Sequence, residues 1–195
     1  MSLFGGKGDN QRMMSAFEIR LVKQVFQTAK LPRLDQIPIG DGESANGTAW
    51  TSSDFTISVT PRYFSTDLSR SKPDTLVHEM THVWQYFNGT LTMDHAFKAQ
   101  AWASIKDKYL SFGWGHSDVK DHFYDKLYSY DAEDGTWDSM GFEGQASMVE
   151  DWYSMGMKTE GIRFVFVKNV LWDGDMSARN LTRTELVLRS PTLPP

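Results

Sequence analysis

The chain has 195 residues, 40% hydrophobic, 13% aromatic and 23% charged, enough for one domain with its own core and unlike a disordered or filamentous chain. Twenty Lys and Arg against 25 Asp and Glu give a net charge of -5, and no long basic run offers a phosphate-tracking surface, so nucleic acid is excluded as the main partner. The absence of cysteine excludes disulfides, thiolate metal ligands and a Cys nucleophile, so any metal site must be built from His, Asp or Glu.

Residues 1–14 read as a flexible leader, residues 15–189 as a single domain and residues 190–195 as an extended tail. The leader is Gly-rich and lacks the apolar core of a secretory signal. No stretch reaches the roughly 18 apolar residues of a membrane span. The expectation is a protein that is not an integral membrane protein and is cytoplasmic at synthesis.

The first element is an amphipathic helix from Ser15 to about Ala29, with Phe17, Leu21, Val25 and Phe26 at helical spacing and Pro32 beyond its end. Pro38, Gly40 and Gly42 read as a loop. Thr48 to Thr51 and the alternating Phe55, Ile57 and Val59 predict a β-hairpin. Ser71 to Asp74 fits a capping box with Pro73 in the first turn, so a helix is predicted from near Lys72 to Phe87, stopped by Asn88-Gly89. Further helices are predicted over Asp94 to Leu110, Ser117 to Tyr130 and Phe142 to Met155. The apolar run Ile162 to Trp172 fits either strand or helix.

The chemistry lies in His78-Glu79-Met80-Thr81-His82. On a helix, His82 stands about 40° from His78 and one turn along, so both imidazoles can reach one ion. Glu79, about 100° round, stands beside the ion, where its carboxylate can take a proton from the water that the ion acidifies. Shuffling the composition yields this pattern about 0.005 times per chain, so chance explains it poorly. Leu76, Met80, Val83, Trp84 and Phe87 share one arc of the helix. His78, Glu79, His82, Gln85 and Tyr86 share the other, which carries no Lys or Arg and so reads as a cleft wall rather than a solvated face.

A catalytic zinc site needs a third protein ligand. Glu143 and Glu150 lie on one face of the helix predicted over Phe142 to Met155, seven residues and about 20° apart, and either qualifies. A di-iron site is disfavoured because no second Glu-x-x-His exists.

His78 to Gln85, read as H-E-[LM]-T-H-V-x-Q, resembles the core of zincin metallopeptidases of a gluzincin-like group found in bacterial toxins, contractile-injection cargo and the peptidase extensions of secretion spikes. Tyr128-Ser129-Tyr130-Asp131 and Glu143-Gly144-Gln145-Ala146 resemble later segments of that group. The resemblance spans roughly Thr75 to Tyr153. It implies an α+β zincin-like fold, with a small sheet or hairpin followed by a mostly helical region. It also implies Zn2+ on His78, His82 and Glu143, with Glu150 as the fallback ligand, and Glu79 as general base of peptide hydrolysis. Thermolysin-like gluzincins carry an Asp four residues after the ligand Glu. Ser147 stands there in this chain, so the partner that orients His78 is open.

For the oxyanion of the transition state, Tyr130 is the favoured donor among Tyr130, Tyr128, His122, His116 and His95. An edge strand before the metal helix, Phe55 to Thr60 or Thr48 to Thr51, is implied to pair with extended substrate. The substrate expected is a peptide or protein, peptidoglycan peptides included, and the resemblance implies an effector exported without a cleaved leader. The alternative is a non-catalytic, metal-stabilised binding module.

Overall fold

The computed structural model describes residues 8–42, 47–92, 130 and 135–189. The helices expected over Asp94 to Leu110 and Ser117 to Tyr130 fall almost wholly outside these residues, as do His95, His116, His122, Tyr128 and the tail at 190–195. The described chain is α+β, a small mixed sheet followed by a mostly helical region.

Strand β1 (Gln11–Met13) pairs antiparallel with β2 (Pro38–Gly40), which pairs in parallel with β4 (Ile57–Ser58), and β3 (Trp50–Thr51) closes the order β1-β2-β4-β3. The predicted hairpin is β3 and β4, turning through Ser52 to Thr56, with Phe55 at φ 68° in the turn rather than in a strand. Two strands escape the sequence reading. β1 lies in the segment read as leader, and β2 begins at a proline in a segment read as loop. Each has three residues, too few to show alternation, and their pairing spans the whole of α1.

Helix α1 (Ala16–Phe26) starts at a complete capping box. The Ser15 hydroxyl accepts from the Glu18 amide, and the Glu18 carboxylate accepts from the Ser15 amide. Val22, Val25 and Phe26 enter the core, whereas Phe17 is 46% exposed, with the guanidinium groups of Arg20 and Arg70 over its ring at 5.4 and 4.8 Å. The buried Glu18 carboxylate also binds the Arg12 guanidinium at 2.7 and 2.8 Å and the Leu68 amide at 2.8 Å. This latch joins β1, α1 and the short helix α3 (Leu68–Ser71), which follows the one-turn α2 (Pro61–Phe64).

Burial alone would raise the Glu18 pKa, but Arg12 and the two amides outweigh it and hold it below 4.5. Its folded pKa is therefore below its unfolded one, so the latch stabilises fully above that value and weakens as pH falls through the folded pKa. Replacing Glu18 by Gln is expected to cost about 3 kcal/mol at neutral pH and to flatten the loss of stability below pH 4.5. Urea unfolding of both proteins at pH 7 and pH 3.5 measures this, and equal stability loss at the two pH values would refute it.

Helix α4 (Pro73–Phe87) runs through the middle of the domain. Ser71 does not cap it. The residue belongs to α3, where its hydroxyl donates to Asp67 O at 3.0 Å and meets the Thr66 hydroxyl, and the cap position falls on Lys72, whose side chain makes no capping bond. The far end matches the prediction, with Asn88 at the C-cap and Gly89 at φ 69°. Leu76, Val77, Met80, Val83 and Trp84 join the core with Ile39, Ile57 and Val59 of the sheet region. α5 (Gly141–Ser154) packs against α4 and contributes Met148, Val149 and Trp152 to the same core.

Ile162 to Trp172 is helical. α6 (Ile162–Phe166) continues as π-helix over Val167–Trp172, and α7 (Arg183–Arg189) follows. The Trp172 indole donates to Val25 O at 2.9 Å, and Thr28 donates to Trp172 O at 2.8 Å, tying this end to α1. Tertiary packing thus decides a segment whose β-branched content fits either state.

Candidate metal centre

The two histidines of α4 face α5 because Glu143 and Glu150 project from the same stripe of that helix, with the fully buried Ala146 between them. A methyl group at that point lets the helices approach closely enough for both carboxylates to reach across. His78 Nε2 lies 3.3 Å from His82 Nε2, and each lies 3.3 Å from Glu143 Oε2. The three atoms form a nearly equilateral triangle. Tetrahedral zinc with bonds of about 2.0–2.1 Å has edges of about 3.3–3.4 Å between ligand atoms, so the triangle has the dimensions of one face of such a tetrahedron. The donor set is also apt, two imidazoles and one carboxylate, the composition of catalytic zinc sites with a fourth position open.

The remaining ring nitrogens are held by acceptors. His78 Nδ1 donates to Glu150 Oε2 at 2.9 Å, and His82 Nδ1 donates to Gln85 Oε1 at 2.7 Å. With Nδ1 protonated, each ring keeps Nε2 for an ion. Glu150, offered by the sequence as an alternative ligand, therefore stands behind His78 on the nitrogen away from the triangle. It occupies the orienting role that the sequence leaves open, about one turn beyond Ser147 on α5.

Charge reinforces the cluster. Burial disfavours charged His78, but hydrogen bonds to Glu143 and Glu150 and the charge of Glu79 outweigh it and push its pKa to about 10. His82 is raised against the same penalty, chiefly by Glu143. Reciprocally, the two imidazoles hold Glu143 well below the carboxylate range although burial opposes this.

Glu79 lies on the other side of the histidines, 4% exposed, with a pKa raised by burial. The Thr51 hydroxyl lies 2.7 Å from Glu79 Oε2 and 3.1 Å from Glu79 O, so the edge strand β3 and the base candidate are directly connected. β4 is paired on both sides, which removes Phe55 to Thr60 as a strand-accepting edge. Among the described residues β3 (Trp50–Thr51) is the strand at that end of the sheet, so of the two expected segments the one that contains it qualifies.

Tyr130 is engaged elsewhere. Its hydroxyl donates to Asp151 and accepts from Arg163 Nε at 2.7 Å. The tyrosine that senses the cluster is Tyr86, half-buried one turn beyond His82, whose pKa burial and the charges of Glu143 and Glu79 push up to about 12. The sequence places Tyr86 on the site arc of α4, but a tyrosine there is indistinguishable from a packing residue until α5 is docked.

Because Glu150 contacts His78 only through Nδ1, Glu150→Ala is expected to weaken zinc binding about 10–100-fold while keeping its stoichiometry. Competition with a chromogenic chelator measures this, and complete loss of zinc would make Glu150 a ligand.

These elements define a class: an α+β domain in which one helix bearing H-E-x-x-H and a later helix bearing a glutamate converge two imidazoles and a carboxylate on one point. Among known families, the chain matches the Peptidase M91 family, described as effector protein, over residues 7–109. That is just over half of the chain, and the chain belongs to this family. The matched region contains the sheet and all of α4 but ends before Glu143. No curated protein and no solved structure matches the chain.

Proposed function

We propose that this protein is a zinc-dependent metallopeptidase of the gluzincin type, with a zincin-like fold, that acts as an effector on a peptide or protein substrate. The observation that carries the reading is the 3.3 Å triangle of His78 Nε2, His82 Nε2 and Glu143 Oε2, with both Nδ1 atoms already committed to acceptors. Family membership supplies the peptidase and effector context.

A bound zinc ion would supply Lewis acidity toward a peptide carbonyl and would acidify water at its open position. The protein's own groups do the rest. Substrate in extended form adds alongside the edge strand β3, which sets the scissile bond beside α4. Glu79, held by Thr51 through Oε2, takes the proton released by the attacking water and passes it to the leaving amine nitrogen. Tyr86, half-buried one turn beyond His82 with its pKa pushed up by burial and by the charges of Glu143 and Glu79, carries the hydroxyl that would donate to the developing oxyanion.

The test joins metal content with hydrolysis. Purified protein is expected to hold about one zinc per chain and to cleave members of a synthetic peptide mixture followed by mass spectrometry. Chelation should abolish cleavage, with a smaller loss of thermal midpoint than a structural zinc site would show. Loss of most of the stability on chelation without any cleavage beforehand would favour a metal-stabilised binding module, and absence of zinc uptake would refute the zinc reading.

A further inference from the structure

Behind the triangle runs a hydrogen-bonded chain that needs no metal for its definition. The wholly buried Gln85 accepts from His82 Nδ1 through Oε1, and its Nε2 donates to Phe142 O at 2.9 Å and to Gln145 Oε1 at 2.9 Å. Gln145, 5% exposed, donates in turn from Nε2 to Trp137 O at 3.0 Å.

Every polarity in this chain follows from its two ends. A backbone carbonyl can only accept, so Trp137 O requires the Gln145 amide nitrogen and turns Gln145 Oε1 toward Gln85. Phe142 O and Gln145 Oε1 both require the Gln85 amide nitrogen, which turns Gln85 Oε1 toward His82. An oxygen there requires a proton on His82 Nδ1, and Nε2 is the nitrogen left for an ion. Reversing either amide would set acceptor against acceptor in a region without water access.

The same side chain also fixes where α5 begins. Phe142, whose carbonyl Gln85 holds, immediately precedes Glu143, and Gln145 lies two residues after it. Three of the bonds that define Gln85 therefore reach the ligand histidine and both flanks of the ligand glutamate.

We propose that Gln85 is a positioning residue that couples the orientation of His82 to the docking of the helix that carries Glu143, so that the two ligands from separate elements are presented as one unit. The proposal rests on the zinc reading for its purpose but not for its geometry. Neither the charge of His82 nor any proton uptake enters it.

The test uses the full chain with Gln85→Met, which keeps length and apolar volume without hydrogen bonds, and Gln85→Glu, which keeps an acceptor for His82 but sets a second oxygen against Phe142 O and Gln145 Oε1. Backbone amide spectra establish that each variant is folded. In metal-free protein, the His82 Nδ1 proton is expected as a solvent-protected, downfield resonance in the wild type and in Gln85→Glu, and to be lost from protection in Gln85→Met. Zinc Kd, read by chelator competition, is expected to weaken about 10–100-fold in Gln85→Met and by less in Gln85→Glu. The ligand-field spectrum of the Co2+-substituted protein should change in Gln85→Met.

A protected His82 proton in Gln85→Met, together with an unchanged zinc Kd and cobalt spectrum, would overturn the proposal. So would equal losses of the proton in both variants, which would reduce Gln85 to a packing residue. If the wild type takes up no zinc, the zinc reading fails by itself, and the imidazole proton decides the positioning role alone.

Discussion

Replacing Glu79 by Gln is expected to lower peptide hydrolysis by about 10²–10⁴-fold while zinc stays at about one per chain. The substitution keeps the volume of a side chain that is 4% exposed and leaves an amide that can still meet Thr51, so the change isolates proton transfer. Glu79 makes no hydrogen bond to His78 or His82. It acts on them through charge, and His78, His82 and Glu143 hold the candidate triangle without it. Rates on a peptide that the wild type cleaves, paired with metal analysis of the same samples, provide the measurement. A variant as active as the wild type would remove Glu79 from catalysis, and a variant that loses zinc would make it a ligand.

Zinc should fall from about one per chain to near zero in His82→Ala and Glu143→Ala, since each leaves two of the three donors a catalytic site requires. The electrostatic consequences differ. His82→Ala removes one of the two imidazoles that hold Glu143 ionised, whereas Glu143→Ala takes from His82 the largest contribution that raises its pKa and from His78 one hydrogen bond, leaving His78 with Glu150 and the charge of Glu79. Glu143→Gln retains the shape and separates charge from packing. Mass-spectrometric metal content on folded, parallel preparations decides the ligand set. Zinc kept without Glu143 and lost without Glu150 would exchange the roles of the two glutamates.

The local parts of this site were legible because their spacing is set by one helix. His78, Glu79 and His82 lie within five residues, and helical geometry alone aligns the two imidazoles and sets the carboxylate aside. The polar arc with Gln85 and Tyr86 was equally readable, as was the stop at Asn88-Gly89. The capping box at Ser71 was misread because the same residues complete α3, where Asp67 and Thr66 claim the serine hydroxyl. Phe17 shares the helical spacing of Leu21, Val25 and Phe26, but spacing identifies a stripe and not what lies beyond its edge. The structure leaves it outside under two arginines.

The sequence by itself pointed to imidazole and carboxylate as the donors of any metal site, to α4 as the carrier of two candidate donors and a candidate base, and to a glutamate on the helix over Phe142 to Met155 as the candidate third donor. Residue spacing alone left Glu143 and Glu150 open, because seven residues of helix return both to one face, and only the docking of α5 on α4 shows Glu143 against Nε2 and Glu150 against Nδ1. The tertiary structure also decided the sheet order, the approach of Thr51 to Glu79 and the run from His82 to Trp137. Apart from the His82–Gln85 bond within α4, these contacts join residues 28 to 72 positions apart at the site or end on backbone carbonyls, and neither separation nor carbonyl direction leaves a periodic mark in the chain. Short-range geometry is written in residue spacing, whereas long-range geometry emerges when burial of the apolar faces of α4 and α5 brings their polar faces together.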